Sequence, residues 1–365
     1  MPVYNVAPYV ERCLLSVMQQ TRPAEECFII DDASTDSSVA LCEQLIANYD
    51  GPTRFTILHH DHNRGLSAAR NTGTDAATGV YIYYMDSDDE MTADCLEKLA
   101  APVEHDDSIE MVMGNYCIDT SAMNGRKHRF MRELGTPQLH FMQDTPLELK
   151  SNEEIREWFY NGKISRPLYI WNKLLKLSFV KENQLYNKEG LLYEDTLWTY
   201  YLMRCLNHAA FVHKVTYIYY RRPGSICTGT KYDEQLLHRG YNFREIAENI
   251  VPGERLEETM RWHKRFCLFY IDAYDNPDYQ FAYKAFRHEI SAAYHRGQAL
   301  MIGSASQLGY YSTGQLRSAL WLLTAVNFLS KSSVGRFILK TALRVRFLLL
   351  RIVHVLQSIT GARPQ

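Results

Sequence analysis

Hydrophobic positions in the first ninety residues follow two different periods. Short apolar runs that end in acidic residues or histidines are typical of buried strands; they are 27–30, 55–58 and 80–85. Other segments repeat an apolar residue every three or four positions, as on one face of a helix; they are 9–20, 38–48 and 66–77. Strands that alternate with helices predict βαβ units, a parallel sheet, and a ligand site at the carboxyl ends of the strands.

Beyond residue 100 the pattern is less regular. Strand-like periods occur at 109–113 and 211–220. Helical periods occur at 152–160, from 171 onward, at 194–206 and over most of the chain after 232. We therefore predict an α/β fold, with a mixed, mostly parallel Rossmann-like sheet flanked by helices and a helical C-terminal extension. The predicted parts are 1–110, 111–225 and 226–365.

Composition excludes several classes of protein. The chain has 365 residues and a formal net charge of −2, which gives no general attraction to nucleic acid. Its eight cysteines form no CxxC pair, a pattern that favours a reducing cytoplasm over a disulfide scaffold or zinc ribbon. We find no signal peptide and no apolar run long enough to span a membrane. The sequence therefore predicts a cytoplasmic protein.

Three carboxylates follow the third apolar run within four residues: Asp86, Asp88 and Asp89. Carboxylates this close repel one another unless a cation lies between them, so the cluster predicts a divalent-metal site at the end of a buried strand. The acidic segment 31–36 has two interpretations. It is either a second ligand-binding strand end or only a turn with a helix cap.

Several motifs in the first ninety residues, in this order and spacing, closely resemble family 2 glycosyltransferases of the GT-A fold. They are Pro2-Val3-Tyr4-Asn5, Tyr9–Leu14, Ser16–Thr21, Asp31–Asp36, Asn63–Asn71 and Asp86–Asp89. The resemblance continues more faintly at Trp171–Leu174, Glu194-Asp195 and Tyr220–Arg222. It implies a nucleotide-sugar-binding half in 1–110 and an acceptor-binding half, which carries the catalytic base, in 111–225.

The activity that this resemblance implies is inverting transfer of a hexose or N-acetylhexosamine from a nucleotide diphosphate-sugar, with a UDP-sugar as the expected donor. The acceptor would be a glycan or lipid-linked saccharide in cell-surface polysaccharide biosynthesis. One alternative is a catalytically impaired GT-A-like protein that binds nucleotide-sugars or acts as a scaffold. A nucleotide-sugar pyrophosphorylase is a further alternative, but it would carry a Gly-rich phosphate loop after its first strand, which residues 2–6 do not form.

The donor-binding residues are also implied by the resemblance. Pro2, Tyr4 and Asp32 correspond to the wall that holds the nucleotide base, with Asp32 accepting from the uracil N3–H. Arg70 is similar to the basic residue near the diphosphate. Asp86 is similar to the carboxylate that contacts the ribose.

Metal binding and catalysis are assigned to two further aspartates on the same basis. Asp88, the second acid of the DxD motif, is similar to the ligand of a Mg²⁺ or Mn²⁺ ion that bridges both phosphates. Asp195 matches the general base, which takes the proton of the acceptor hydroxyl. An acidic pair such as Glu194-Asp195 is also favoured at a helix N-terminus by the helix dipole, and both interpretations stay open. Lys173 and the pair Arg221-Arg222 are candidates for the acceptor or phosphate side.

Three features of the sequence leave separate questions. The family's first strand usually begins several apolar residues before the motif at residue 2, so we expect a central position of the sheet to be short. Residues 59–62 contain three histidines and an aspartate, which read as a loop or as metal ligands. Residues 333–357 predict a helix with a basic stripe, which would lie peripherally on the inner face of the cytoplasmic membrane or dock on protein.

Overall fold

The computed structural model divides the chain into two compact units, Met1–Lys231 and Tyr232–Gln365. The structure describes residues 1–121, 147–161, 168–226, 231–250, 275–302 and 313–332, together with Trp262, Phe266, Tyr270 and Ala273. The predicted functional boundaries at residues 110 and 225 stay predictions.

The first unit opens with a parallel three-stranded sheet in the order β1-β2-β3. Its strands are β1 (Pro2–Val3), β2 (Glu26–Asp31) and β3 (Arg54–His59). Its helices are α1 (Ala7–Met18), α2 (Ser38–Ala47) and α3 (Leu66–Ala76). Apolar side chains from β1, β2, α1 and α2 pack into one core, so the predicted βαβ units are confirmed.

A second, mixed sheet follows in the order β4-β8-β6-β9-β5, with β7 also paired to β9. Its strands are β4 (Tyr81–Tyr83), β5 (Glu90–Met91), β6 (Met111–Asp119), β7 (Glu148–Leu149), β8 (Lys173–Lys176) and β9 (Ala209–Tyr220). The helices of this region are α4 (Cys95–His105), α5 (Asn152–Asn161), α6 (Leu177–Glu182) and α7 (Glu194–Cys205). Among the described strands of this sheet, β6 and β9 are the one parallel pair, so the fold is the predicted mixed α/β architecture with parallel pairing concentrated in the first sheet.

The helix predicted from residue 171 is wrong, because residues 173–176 form β8 between β4 and β6. Asn172 has a positive φ of 57°, which interrupts a helix at its first turn. Its buried side chain donates to the carbonyls of Gly114 and Asn115 at 2.9 and 3.0 Å and accepts from Thr216 at 2.8 Å. These hydrogen bonds join residues far apart in the chain and hold the segment in the sheet. The local hydrophobic pattern does not indicate them.

Strand β1 is only two residues long, and β2 pairs with it only at Ile30 and Asp31. The Met1 amino group continues the same ladder by donating to the Phe28 carbonyl at 2.9 Å. Beyond it lies a cavity of about 600 Å³ that is lined by residues of both β2 and β4. Strand β1 lies at one end of the order β1-β2-β3, so the expected short central position stays a prediction, and burial lowers the pKa of the Met1 amino group.

The second unit is helical, as predicted. Its helices are α8 (Tyr232–Glu248), α9 (Pro277–Ile302) and α10 (Thr313–Ser330). Aromatic side chains form much of its core, with Phe266 in contact with Phe243, Tyr279 and Phe286. Among the described residues, no helix has both the length and the apolar character that crossing a membrane requires. The basic segment 333–357 lies outside the described residues.

Candidate active site

Arg70 is the centre of a buried charge cluster in the first unit. Its side chain projects from α3 and is only 2% exposed. Nη2 donates to Asp86 Oδ1 at 2.7 Å, and Nη1 donates to Glu194 Oε1 at 2.5 Å and lies 3.6 Å from Asp195 Oδ1. The guanidinium therefore joins the carboxylate after β4 to the acidic pair that opens α7. The structure brings together three of the predicted site residues: Arg70, Asp86 and Asp195.

Asp32 fixes the turn that leads into α3. Its carboxylate accepts from the backbone N–H groups of Arg64 at 2.8 Å and Gly65 at 2.7 Å, and His60 Nδ1 lies 2.6 Å from it. Gly65, with a φ of 88°, is the residue that allows the helix to begin here. Asp32 is 3% exposed and already has three partners, so its contacts in the structure are with this turn. Its role toward a nucleotide base stays a prediction.

Pro2, also assigned to the base wall, is the first residue of β1, and Tyr4, assigned to the same wall, comes directly after that strand. Pro2 is buried, whereas Tyr4 is 46% exposed. The next residue, Asn5, has a φ of 51°, and its Oδ1 accepts from the backbone N–H of Thr35 at 2.8 Å. This bond ties the segment to the turn after β2. Tyr4 is thus an accessible ring at the edge of the sheet where the acidic strand ends collect.

The three carboxylates of the DxD segment differ in burial. Asp89 is fully buried and accepts from Tyr217 Oη at 2.7 Å and from the Tyr220 backbone N–H at 2.8 Å, which ties the turn after β4 to β9. Asp86 and Asp88 keep side-chain exposures of 24% and 20%. Asp89 thus anchors the turn, and the other two acids remain accessible.

The charge on Asp88 is matched by arginines. Arg222 Nε donates to Asp88 Oδ2 at 2.8 Å, and Arg12 Nη2 donates to the Asp88 backbone carbonyl at 2.7 Å. Burial, followed by the charge of Asp86, raises the pKa of Asp88. Asp86 and Asp88 both offer partly exposed carboxylate oxygens, the ligand type that Mg²⁺ and Mn²⁺ prefer, and in the structure arginines balance their charge.

Asp195 differs from its neighbour Glu194 in how its carboxylate is used. Glu194 is 6% exposed and bonded to Arg70, whereas Asp195 has a side-chain exposure of 28%. Asp195 Oδ1 is buried and has no hydrogen-bond donor among the described residues. Burial, and next the charge of Glu194, raises the pKa of Asp195. A carboxylate with an unused oxygen and a raised pKa is suited to accept a proton.

Lys173 lies inside the sheet and not on an open face. It is 1% exposed, its Nζ donates to the Tyr169 carbonyl, and it lies 4.2 Å from the Tyr169 ring centroid. Burial lowers the pKa of Lys173 to about 7. Its charge also interacts with that of Asp195, and its role toward a phosphate or acceptor stays a prediction.

The histidine-rich segment after β3 forms separate pairs with carboxylates. His59 Nδ1 lies 2.9 Å from Asp31, and His62 Nδ1 lies 2.6 Å from Asp61, while His60 contacts Asp32. The loop interpretation therefore accounts for these side chains.

Elsewhere in the described chain, Asp106, Glu148 and His208 place ligand atoms within 4.8 Å of one another. Both ring nitrogens of His208 already contact protein, Nδ1 with Ser108 at 3.0 Å and Nε2 with Glu148 at 2.7 Å. This group therefore reads as a surface hydrogen-bond cluster.

Sequence reasoning missed two residues of the site. Glu194 was considered only as part of a helix start, although it is a main partner of Arg70. Arg12 belongs to the motif Tyr9–Leu14, but the sequence suggested no role for it. Its guanidinium lies 3.5 Å from the Tyr220 ring centroid and donates to the Asp88 backbone carbonyl. In the sequence, the adjacent arginines Arg221 and Arg222 are the feature that indicates a basic side chain beside the DxD motif.

Known proteins resemble the chain in both sequence and fold. Residues 1–162 match Glycosyl transferase family 2. Glycosyltransferase GlyG of Streptococcus pneumoniae serotype 4 is 28% identical over 225 residues, which cover 62% of this chain and 70% of GlyG. The uncharacterized glycosyltransferase YibD of Escherichia coli K12 is 28% identical over 231 residues, covering 62% of this chain and 61% of YibD.

Among solved structures, S. aureus TarS 1–349 in complex with UDP-GlcNAc superposes with a TM-score of 0.60 at 17% identity and covers 90% of each chain. Together, the mixed sheet and its flanking helices define a GT-A protein. Residues 1–162 are therefore similar to the family 2 glycosyltransferases, and the sequence relatives that cover 62% of the chain are glycosyltransferases, which supports glycosyltransferase activity.

Proposed function

We propose that the protein is an inverting transferase that moves a hexose or N-acetylhexosamine from a nucleotide diphosphate-sugar to a hydroxyl of a glycan or lipid-linked saccharide. The observation that carries this proposal is the Asp195 carboxylate, with its unused buried oxygen, on the same arginine as the DxD aspartate Asp86. TarS was solved with UDP-GlcNAc, which supports a UDP-sugar as the donor here. The proposed setting is cell-surface polysaccharide biosynthesis.

In the proposed mechanism, Asp195 accepts the proton of the acceptor hydroxyl as that oxygen attacks the anomeric carbon. General-base catalysis of this kind contributes about 10²- to 10⁴-fold to the rate. Arg70 holds the base and Asp86 at one site, because it bonds to both sides of the cluster. The nucleotide leaves from the opposite face of the sugar, and a single displacement inverts the anomeric centre.

The donor would be held along the strand ends. Pro2, Tyr4 and Asp32 form the proposed base wall, and Asp86 the ribose contact. Asp88, with Asp86 beside it, would hold Mg²⁺ or Mn²⁺. When bound, this cation supplies positive charge for the leaving diphosphate.

The decisive experiment is a donor-hydrolysis screen over UDP-, GDP- and dTDP-sugars with wild type and Asp195→Asn. We expect one nucleotide class to be turned over and Asp195→Asn to lose about 10²-fold or more of that turnover while it keeps nucleotide binding. Asp50→Asn, which removes an exposed aspartate, is the matched control. Unchanged turnover by Asp195→Asn would remove the assigned base.

A second candidate function is a nucleotide-sugar-binding protein without transfer activity. The ion pair between Asp88 and Arg222 favours this candidate, because it already places a cation against the carboxylate that would hold the metal. Calorimetry with UDP-sugars, with and without Mn²⁺, separates the two. Metal-dependent binding combined with turnover supports the transferase, whereas binding without turnover of any donor supports the scaffold.

A cytoplasmic location at the inner membrane face is part of the same proposal. The described cysteines at 13, 27, 42, 95, 117 and 205 are free, which fits a reducing compartment. The basic stripe of 333–357 supports contact with anionic lipid on the evidence of sequence alone. Flotation with anionic vesicles tests it: full-length protein should float, and a chain ending at residue 332 should not.

A further inference from the structure

Arg222 pairs with Asp88 at the place where a metal ion would bind. Arg222 lies two residues after the end of β9, and the N–H of the intervening Arg221 donates to the Asp119 carbonyl at 2.8 Å. Arg222 Nε lies 2.8 Å from Asp88 Oδ2, with side-chain exposures of 18% and 20%. Its guanidinium lies 4.6 Å from the ring centroid of Tyr9 on α1. The pair is thus well packed but reachable from solvent.

We propose that Arg222 exchanges partners during donor binding. In the nucleotide-free protein it neutralises Asp88, and when a divalent cation binds there Arg222 turns to the donor's diphosphate. The inference rests on the proposed function, because it takes Asp88 to be the metal ligand. It assigns Arg222 a donor-binding role that follows from its position beside Asp88.

Charge explains why the exchange is favourable. A guanidinium and a divalent cation repel each other strongly when both lie against one carboxylate, since the site is partly withdrawn from water. A diphosphate offers the guanidinium several oxygens that can accept paired, charge-assisted hydrogen bonds. Arg222 therefore loses one anionic partner and gains another in the same site.

The backbone around Asp88 is held independently of Arg222. Arg12 donates to the Asp88 carbonyl at 2.7 Å and stacks on Tyr220. Asp89, the next residue, is fixed by Tyr217 and Tyr220. The Asp88 carboxylate can therefore stay in place when the side chain of Arg222 rotates away.

The exchange predicts effects of opposite sign in one variant. Arg222→Gln removes the cation that competes for Asp88, so the protein should bind Mn²⁺ alone more tightly, by about threefold to tenfold. The same change removes a partner of the diphosphate, so binding of UDP at saturating Mn²⁺ should weaken by about tenfold or more. A merely structural ion pair predicts a loss, or no change, in both measurements.

The experiment is calorimetric titration of the full-length protein, first with MnCl₂ alone and then with UDP at saturating Mn²⁺. Arg54→Gln is the matched control, because it removes the same charge from an exposed side chain that opens β3 and pairs with Glu26, and it should alter both affinities less than twofold. Arg222→Lys keeps the charge without the planar fork and should fall between wild type and Arg222→Gln. It also provides a folded comparison if Arg222→Gln is unstable.

The possible failures are distinguishable. If wild type binds UDP without any dependence on Mn²⁺, the proposed metal site fails and this inference fails with it. If wild type shows metal-dependent binding that Asp88→Asn abolishes, while Arg222→Gln does not tighten Mn²⁺ binding, the inference alone is overturned. Unchanged UDP affinity in Arg222→Gln overturns it as well.

Discussion

Replacement of Arg70 by methionine tests whether this arginine supports the site from within or contacts the donor. The side chain is 2% exposed and is the shared partner of Asp86, Glu194 and Asp195. Methionine fills much of the same space but leaves three carboxylates without their cation. We therefore expect a large loss of folding stability in addition to any loss of activity.

The magnitude follows from burial. Breaking a buried ion pair by removal of one partner costs about 3–5 kcal/mol. Asp86 and Asp195 reach solvent in part, whereas Glu194 is 6% exposed, so most of the cost arises from Glu194. Against a total stability of about 5–15 kcal/mol for a typical domain, such a loss is easily measured.

Urea unfolding followed by circular dichroism is the assay. Arg54→Met is the matched control, because Arg54 has a side-chain exposure of 70% and pairs with Glu26 at the surface, where an ion pair contributes about 0–1 kcal/mol. The double variant Arg70→Met with Glu194→Gln also removes the charge of Glu194, the most buried of the three carboxylates that lose their partner. We expect it to recover about 1–3 kcal/mol relative to the sum of the single changes.

The result that would refute this reasoning is an Arg70→Met protein with the urea midpoint of wild type and weakened UDP binding. Arg70 would then act on the diphosphate, as the family resemblance implies, and the ion pairs of the structure would carry little energy. If Arg70→Met is destabilised and the double variant regains no stability, the loss of stability would instead come from the lost packing of the aliphatic part of the Arg70 side chain.

Two further predictions concern the base and the buried aspartate. Burial raises the folded-state pKa of Asp195 above its unfolded value, to about 8, so its contribution to stability is lost as pH rises through that folded pKa. The thermal stability of Asp195→Asn relative to wild type should therefore grow between about pH 4 and about pH 8, and a constant difference across that range would contradict the raised pKa. Tyr217→Phe leaves buried Asp89 without its 2.7 Å hydrogen bond and should cost about 1–3 kcal/mol in urea unfolding, and a cost near zero would mean that the Tyr220 N–H alone holds Asp89.

Much of the first sheet could be predicted from the sequence because its signals are local. The apolar runs that became β2, β3 and β4 are bounded by polar residues, and the helices between them carry their own periodicity. Strand β8 was misassigned because its structure depends on partners far along the chain. Asn172 bonds to residues of β6 and β9, and only the folded sheet makes those contacts available.

The site shows the same division between local and distant information. Asp86 and Asp195 could be named as candidates from the strand end and from the acidic pair. The partners of Arg70 could not, because Glu194 lies far from it in the chain and nothing in the residues around Arg70 indicates that its side chain turns inward. The sequence shows which residue types are present and how far apart they lie. The burial of a basic side chain in the fold determines whether it stabilises the site or binds a ligand.

Arg70 and Arg222 both lie beside the acidic strand ends, but they differ in burial and in the carboxylates that they contact. Arg70 is enclosed by three carboxylates, and moving it would strand buried charge, so its loss should appear in the free energy of unfolding. Arg222 pairs with the partly exposed carboxylate of Asp88, so its loss should cost less stability than the loss of Arg70 and should appear in the affinities for Mn²⁺ and UDP. Measuring both quantities in Arg70→Met and Arg222→Gln separates the two roles. If Arg222→Gln were the more destabilised of the two, the buried cluster would not be the structural centre of the site.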